Sequence, residues 1–185
     1  MTLPLLYLHG FGSSGHSGKA QVLRSHFPEV YAPSLSHVPQ LAVETLEEFI
    51  RALDGRVALV GSSLGGFFAL YLAQRHELPA VLINPALFPE RALDRVLGMN
   101  QSYFDGSRFE TTEAHVASLA RYRVVGPDTS RLLLLPQLGD DLLDHRETQA
   151  VLPGARAVVE PGGSHAFEGF TTQMETIADF LAEVG

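Results

Sequence analysis

The stretch Val57-Ala58-Leu59-Val60-Gly61-Ser62-Ser63-Leu64-Gly65-Gly66-Phe67-Phe68 decides the fold. It passes from an apolar run of strand length, through a serine with glycine two residues to either side, into an apolar segment of helical length. Gly61-x-Ser63-x-Gly65 is a G-x-S-x-G pattern in the strand, turn and helix context that it requires. In so sharp a turn, side chains at 61 and 65 would strike each other or the neighbouring backbone, and glycine removes them. The turn lifts the Ser63 hydroxyl above the carboxyl edge of a sheet and sets it at a helix N-terminus, where the dipole favours developing negative charge. The alternative is a tight Gly/Ser turn with no chemistry. Ser62 does not fit the spacing.

A serine hydroxyl is a poor nucleophile until a base takes its proton and an acid orients that base. Pro161-Gly162-Gly163-Ser164-His165-Ala166-Phe167 offers His165 on a glycine loop between an apolar run and the last helical segment. His16, His26, His37, His76 and His115 fall in loops or at polar helix positions, and His9 suits a hydrogen-bonding support better than a base. The acid belongs after the preceding strand, in Gly139-Asp140-Asp141-Leu142-Leu143-Asp144-His145. Three aspartates compete there. Asp140 comes first after the glycine turn and leads, with the order Ser, Asp, His as guide; Asp144 stands where a following helix would want an N-cap. With His145 the aspartates also admit a hard-metal cluster, but charged residues at a helix start more often serve as caps, so no metal is assigned.

Oxyanion donors are expected from two backbone amides, Leu64 at the helix start and Phe11 in the loop after the first strand. That loop, His9-Gly10-Phe11-Gly12-Ser13-Ser14-Gly15, also matches G-x-G-x-x-G. A dinucleotide site would need an acidic residue near the end of the second strand, where the chain has Ala32-Pro33-Ser34. Ser13 to Ala20 approaches a P-loop at Gly18-Lys19 but lacks the leading glycine and the magnesium-binding hydroxyl. No cofactor is expected.

Apolar runs at Leu3 to His9, Val30 to Pro33, Val57 to Gly61, Ala80 to Asn84, Leu132 to Pro136 and Ala155 to Glu160 alternate with segments of helical period. Such alternation predicts an α/β fold with a mostly parallel sheet of about six strands and helices on both faces. Helical faces are expected at Leu46, Phe49, Ile50 and Leu53 with Gly55 as the stop, at Gly65 to Arg75, and at Ile177, Phe180, Leu181 and Val184. Phe88 to Pro127 is too long for a single crossover and reads as a lid-like insertion. Glu90 to Leu97 and Thr111 to Tyr122 look helical, and Gly98 to Ser107 reads as loop. Residues 1 to 185 are expected to form one domain.

With 185 residues, 45% hydrophobic and 18% charged, the chain is a folded globular protein rather than a disordered or fibrous one. It has no cysteine, which removes thiolate nucleophiles and disulfide frameworks. Thirteen basic against 21 acidic residues give a net charge of −8, and no window gathers a basic patch, so nucleic acid is not an expected partner. No run approaches a membrane span and the N-terminus lacks the features of a signal peptide, which predicts a soluble, cytoplasmic protein.

Together, His9-Gly-Phe-Gly-Ser-Ser followed by Ser17-Gly-Lys-Ala, Val60-Gly-Ser-Ser-Leu-Gly-Gly-Phe, Asn84-Pro-Ala, Gly139-Asp-Asp-Leu-Leu-Asp and Gly162-Gly-Ser-His-Ala-Phe-Glu-Gly-Phe resemble the YqiA-like small bacterial esterases of the α/β-hydrolase superfamily. The resemblance runs over essentially the whole chain. It implies a compact α/β-hydrolase fold starting at the strand that carries the oxyanion loop, with Ser63 as nucleophile, Asp140 as acid and His165 as base. Lys19 and Asn84 match without a derivable catalytic role. Asp141 and His145 depart from the second acid and the tyrosine usual after the catalytic aspartate. The expected substrate is a small carboxylic ester, short acyl esters favoured, with Phe11, Phe67, Leu87, Phe88, Phe104, Phe109 and Phe167 as candidate contacts. A thioesterase with the same triad ranks second, because a chain at −8 offers few basic anchors. A binding module that keeps the fold without the chemistry is the alternative of another class.

Overall fold

The computed structural model describes residues 3–185; Met1 and Thr2, where the expected single-domain span begins, lie outside the described residues. The first half of the chain forms β1 (Leu5–Leu8), α1 (Gly18–His26), β2 (Val30–Tyr31), α2 (Pro39–Ala52), β3 (Ala58–Ser62), α3 (Leu64–His76) and β4 (Ala80–Ile83). The second half adds α4 (Pro89–Leu93), β5 (Gly98–Gln101), β6 (Arg108–Thr111), α5 (Glu113–Ser118), β7 (Leu132–Leu135), α6 (His145–Val151), β8 (Arg156–Ala157) and α7 (Met174–Val184).

Six strands pair in the order β2-β1-β3-β4-β7-β8, all parallel. The inner strands are apolar at successive positions because both faces are covered. Leu5 and Tyr7 of β1, Val60 of β3, Val81 and Ile83 of β4 and Leu133 and Leu135 of β7 face α1 and α7. Leu6 and Leu8, Leu59, Leu82, Leu132 and Leu134 point the other way, onto α2, α3 and α5. From β1 the chain moves outward to β2, then returns to β3 on the far side of β1. The helices that follow β1 and β3 therefore leave on opposite faces, opening a crevice at the carboxyl ends of those two strands. This is an α/β-hydrolase fold with about the expected sheet.

Two differences concern edges and two concern the insertion. The expected Val30 to Pro33 and Ala155 to Glu160 strands are short, Val30–Tyr31 and Arg156–Ala157, with one further bridge between Gln137 and Glu160. Each lies at a sheet edge with a partner on one side only, and Pro33 has no N–H to contribute. Gly98 to Ser107, expected as loop, instead holds β5 and the turn of an antiparallel hairpin whose second strand is β6. The hairpin was illegible because its alternation is mostly polar. Asn100 holds it by donating to Val96 O, Gly98 O and Thr111 Oγ1. The two expected helices of the insertion are shorter, α4 and α5, each continuing into a 3-10 turn, at Asp94–Val96 and Leu119–Tyr122. Thr112 caps α5, accepting from His115 N–H while the His115 ring accepts from Thr112 N–H. Among the described residues no helix is long and apolar enough to cross a membrane.

Candidate active site

The turn between β3 and α3 holds Ser63 at φ 55° and ψ −120°, a region that side chains rarely occupy. Surrounding backbone fixes it. Ser63 N–H donates to Ile83 O at 3.0 Å, and its carbonyl accepts from Gly66 N–H at 2.9 Å and Ala86 N–H at 3.1 Å. A Cβ at Gly65 would run into the carbonyl oxygens of Leu8 and His9, and one at Gly61 into the Gly65 carbonyl and Ala69. These glycines let α3 start against the end of β1, which brings Gly10 to Ser63: a Cβ at Gly10 would lie 3.2 Å from the serine Cβ.

His165 Nε2 lies 2.9 Å from Ser63 Oγ, and its Nδ1 lies 2.8 Å from Asp140 Oδ2. A carboxylate can only accept, so Nδ1 carries the proton, and Nε2 is left to accept from the serine hydroxyl. Asp140 Oδ1 accepts from Leu142 N–H and Leu143 N–H, both at 2.9 Å. Burial works against the charge on Asp140, but the hydrogen bonds from His165 and from the two amides outweigh it, and the carboxyl is held below its ordinary range. Asp144, by contrast, caps α6 and pairs with Arg146, whose hydrogen bonds pull it down to about 2. Asp141 is exposed and makes neither contact. Among the described residues no three His, Asp or Glu side chains gather as metal ligands would.

Phe11 and Leu64 line the same crevice as Ser63, and neither backbone amide donates to a protein acceptor among the described residues. The loop that presents Phe11 is held from below by His9. Leu35 N–H donates to His9 Nε2 at 2.8 Å, so the ring is neutral there, and Nδ1–H donates to Gly10 O at 2.8 Å. From above, the insertion hairpin docks on it. Tyr103 N–H donates to Gly12 O at 2.8 Å, and the Phe109 ring meets the edge of Phe11 at 5.3 Å while stacking on His37 at 3.4 Å.

A cavity of about 1020 Å³ opens over Ser63 and His165. Of the apolar candidates, Phe11, Leu87, Phe88 and Phe167 line it. Phe67 lies elsewhere, buried beside Phe68 because its position on α3 turns it into the core. Phe109 spends its faces on Phe11 and His37, and Phe104 stands 57% exposed against His16. Sequence reasoning missed the polar and charged walls. Lys19 lines the cavity and donates to Ala166 O, with burial lowering its pKa. Arg91 lies over the Phe88 ring at 4.3 Å and pairs with Glu147, and Arg95 completes that side. Gln137 was missed too: it is buried behind the His165 loop and bonded to it. Only its place directly after an apolar strand marked it.

Solved structures of similar fold include Est1E from Butyrivibrio proteoclasticus with ferulic acid bound (15% identity, TM-score 0.74, covering 99% of this chain and 90% of that one). A monoacylglycerol lipase from Paleococcus ferrophilus matches with 16% identity and a TM-score of 0.72, over 100% and 97% of the two chains. Among sequences, the YcfP proteins of Salmonella newport and Salmonella gallinarum are 24% and 25% identical over 185 residues, covering 95% of this chain and 97% of the relative. The model of the uncharacterised protein family UPF0227 matches residues 4–182, and the chain belongs to that family.

Proposed function

We propose that the chain is a serine hydrolase that cleaves carboxylic esters through an acyl-enzyme on Ser63. The observation that carries this reading is the continuous run of contacts from Ser63 Oγ through His165 to Asp140, at 2.9 and 2.8 Å, beside two unengaged amides. Ser63 Oγ attacks the ester carbonyl carbon while its proton passes to His165 Nε2. The carbonyl oxygen, now negative, is held by the Phe11 and Leu64 amides. Collapse expels the alcohol, which takes the proton back from His165, and a water then repeats the sequence to release the acid and restore Ser63. Asp140 keeps the imidazole in the accepting tautomer and offsets the charge that it gains.

Short acyl esters are the first substrates to try, and the cavity leaves room for a larger group on either side of the scissile bond. A thioester is the second reading, favoured by Lys19, Arg91 and Arg95 along the cavity walls. These cations stand where the net charge of the chain gave no hint of them. The test is labelling by a fluorophosphonate together with hydrolysis of an ester and thioester panel. Ser63→Ala is expected to lose the label and about 10⁴–10⁶ in kcat, with Tm nearly unchanged. Substantial activity in Ser63→Ala overturns the proposal, and ligand binding without turnover by the wild type points to the binding module instead.

A further inference from the structure

His165 sits on a loop that ought to be loose. Gly162 and Gly163, at φ 71° and 74°, lead into it, and glycine carries the largest conformational freedom of any residue. His165 nevertheless meets two partners at hydrogen-bond distance. Two buried amide side chains account for this. Asn84, directly after β4, donates through Nδ2 to Ser164 O at 3.0 Å and His165 O at 3.2 Å. Its Oδ1 accepts from Gln137 N–H at 2.8 Å. Gln137, just beyond β7, accepts through Oε1 from Ser164 N–H at 3.1 Å and Glu168 N–H at 2.8 Å, and donates through Nε2 to Glu168 O at 2.7 Å. Each is 4% exposed, and every one of these side-chain hydrogen bonds goes to backbone. A Cβ at Gly163 would collide with the Gln137 amide, so the glycine serves the clamp as well as the turn.

Gln137 also reaches the acid. Its backbone carbonyl accepts from Asp140 N–H at 3.1 Å. The Gln137 side chain therefore holds both flanks of the base loop while its backbone starts the acid loop, and Asn84 ties that residue to the end of β4. Asn84 stands at φ 38°, left-handed backbone that asparagine tolerates better than most side chains. Apolar residues would fill these buried positions at lower desolvation cost. Holding loop backbone is what amides do there and apolar groups cannot.

We infer that Asn84 and Gln137 are positioning residues that hold the His165 loop in register with Ser63 and Asp140. The inference rests on the hydrolase reading above and adds residues to it that touch no substrate. Asn84→Asp keeps the shape, the backbone angle and the acceptor but replaces the two-proton donor with a carboxylate facing two carbonyls. Gln137→Glu does the same toward Glu168 O. Displacement of a catalytic group by about 1 Å costs on the order of 10²-fold in rate. Each variant is therefore expected to lose about 10–10²-fold in kcat on p-nitrophenyl acetate with KM within about twofold, and to slow fluorophosphonate labelling of Ser63 in parallel. On a His165→Ala background the same substitutions are expected to change residual activity less than about twofold, because they act through that ring.

Unchanged kcat in folded variants, a loss carried by KM alone, or the full loss persisting on the His165→Ala background overturns the inference. Amide exchange on the wild type needs no variant to fold: the Ser164 and Glu168 N–H groups are expected to be protected, and exchange at the rate of an open loop also overturns it. A wild type that neither turns over esters nor labels at Ser63 overturns the hydrolase reading itself. An active wild type with indifferent variants removes the positioning role alone.

Discussion

Asp140→Asn separates the three aspartates by mechanism. In the wild type both carboxylate oxygens accept, Oδ2 from His165 Nδ1–H and Oδ1 from the Leu142 and Leu143 amides. Asparagine has one accepting oxygen. The two amides can only donate, so they claim it, and the new NH₂ turns toward His165 Nδ1. That ring nitrogen must then accept, which moves the proton to Nε2 and points an N–H at Ser63 Oγ. The base is lost by tautomer while the geometry stays in place. A wrong tautomer of this kind costs about 10⁴ in kcat, or about 5 kcal/mol of transition-state stabilisation at about 1.4 kcal/mol per decade. Folding stability should change far less, by about 1 kcal/mol, because the number of hydrogen bonds is kept. In a chain of this size that is a Tm shift of about 2–4 °C. The assay is kcat on a p-nitrophenyl ester for Asp140→Asn, Asp141→Asn and Asp144→Asn, with melting curves for each. Asp141→Asn and Asp144→Asn should keep kcat within about twofold. A larger loss at either of them than at Asp140 refutes the reasoning.

Gly65→Ala should destabilise the protein by about 3 kcal/mol or more, read as a fall in denaturant midpoint, because its Cβ enters the Leu8 carbonyl and backbone at the end of a central strand has nowhere to move. Burial, with the charge of His37 adding and the bond to Gly10 opposing, holds the His9 pKa below 6.5. The unfolded chain therefore binds the proton first, so the stability from neutral His9 is complete above pH 6.5 and is lost as pH falls through the folded value. Replacing it by Gln should flatten the acid side of the Tm against pH curve, and an unchanged curve would exclude the ring as its source. Phe109→Ala removes an edge contact to Phe11 and a stack on His37, and should lower kcat more than it alters the preferred acyl length. A change in acyl preference at constant kcat would instead put that ring against substrate.

The fold was legible where burial is two-sided. Leu132 to Leu135 reads as a strand because every face of it is covered, and Val57 to Val60 for the same reason. The elbow and the His165 loop were legible because their glycines are demanded locally. The short extent of the edge strands and the hairpin were not, since one-sided pairing and polar alternation leave little trace in hydropathy. Gln137 and the cations of the cavity escaped because their roles arise where segments far apart in sequence meet, Gln137 with residues 27 and 31 positions later. Phe67 and Phe68 show the converse limit. Adjacent aromatics on one helix look alike in sequence, and the direction each takes depends on how α3 is rotated against the sheet.

The docking of the insertion hairpin on the Phe11 loop joins a wall of the cavity to the proposed anion site. Tyr103 lines the cavity and grips Gly12, one residue past the amide assigned to the developing charge. The same hairpin sets the Phe109 ring against Phe11. One hairpin thus borders the cavity and braces the loop that carries Phe11, so in the proposed hydrolase a substitution in the hairpin reaches both the space for substrate and the amide that would hold the developing charge.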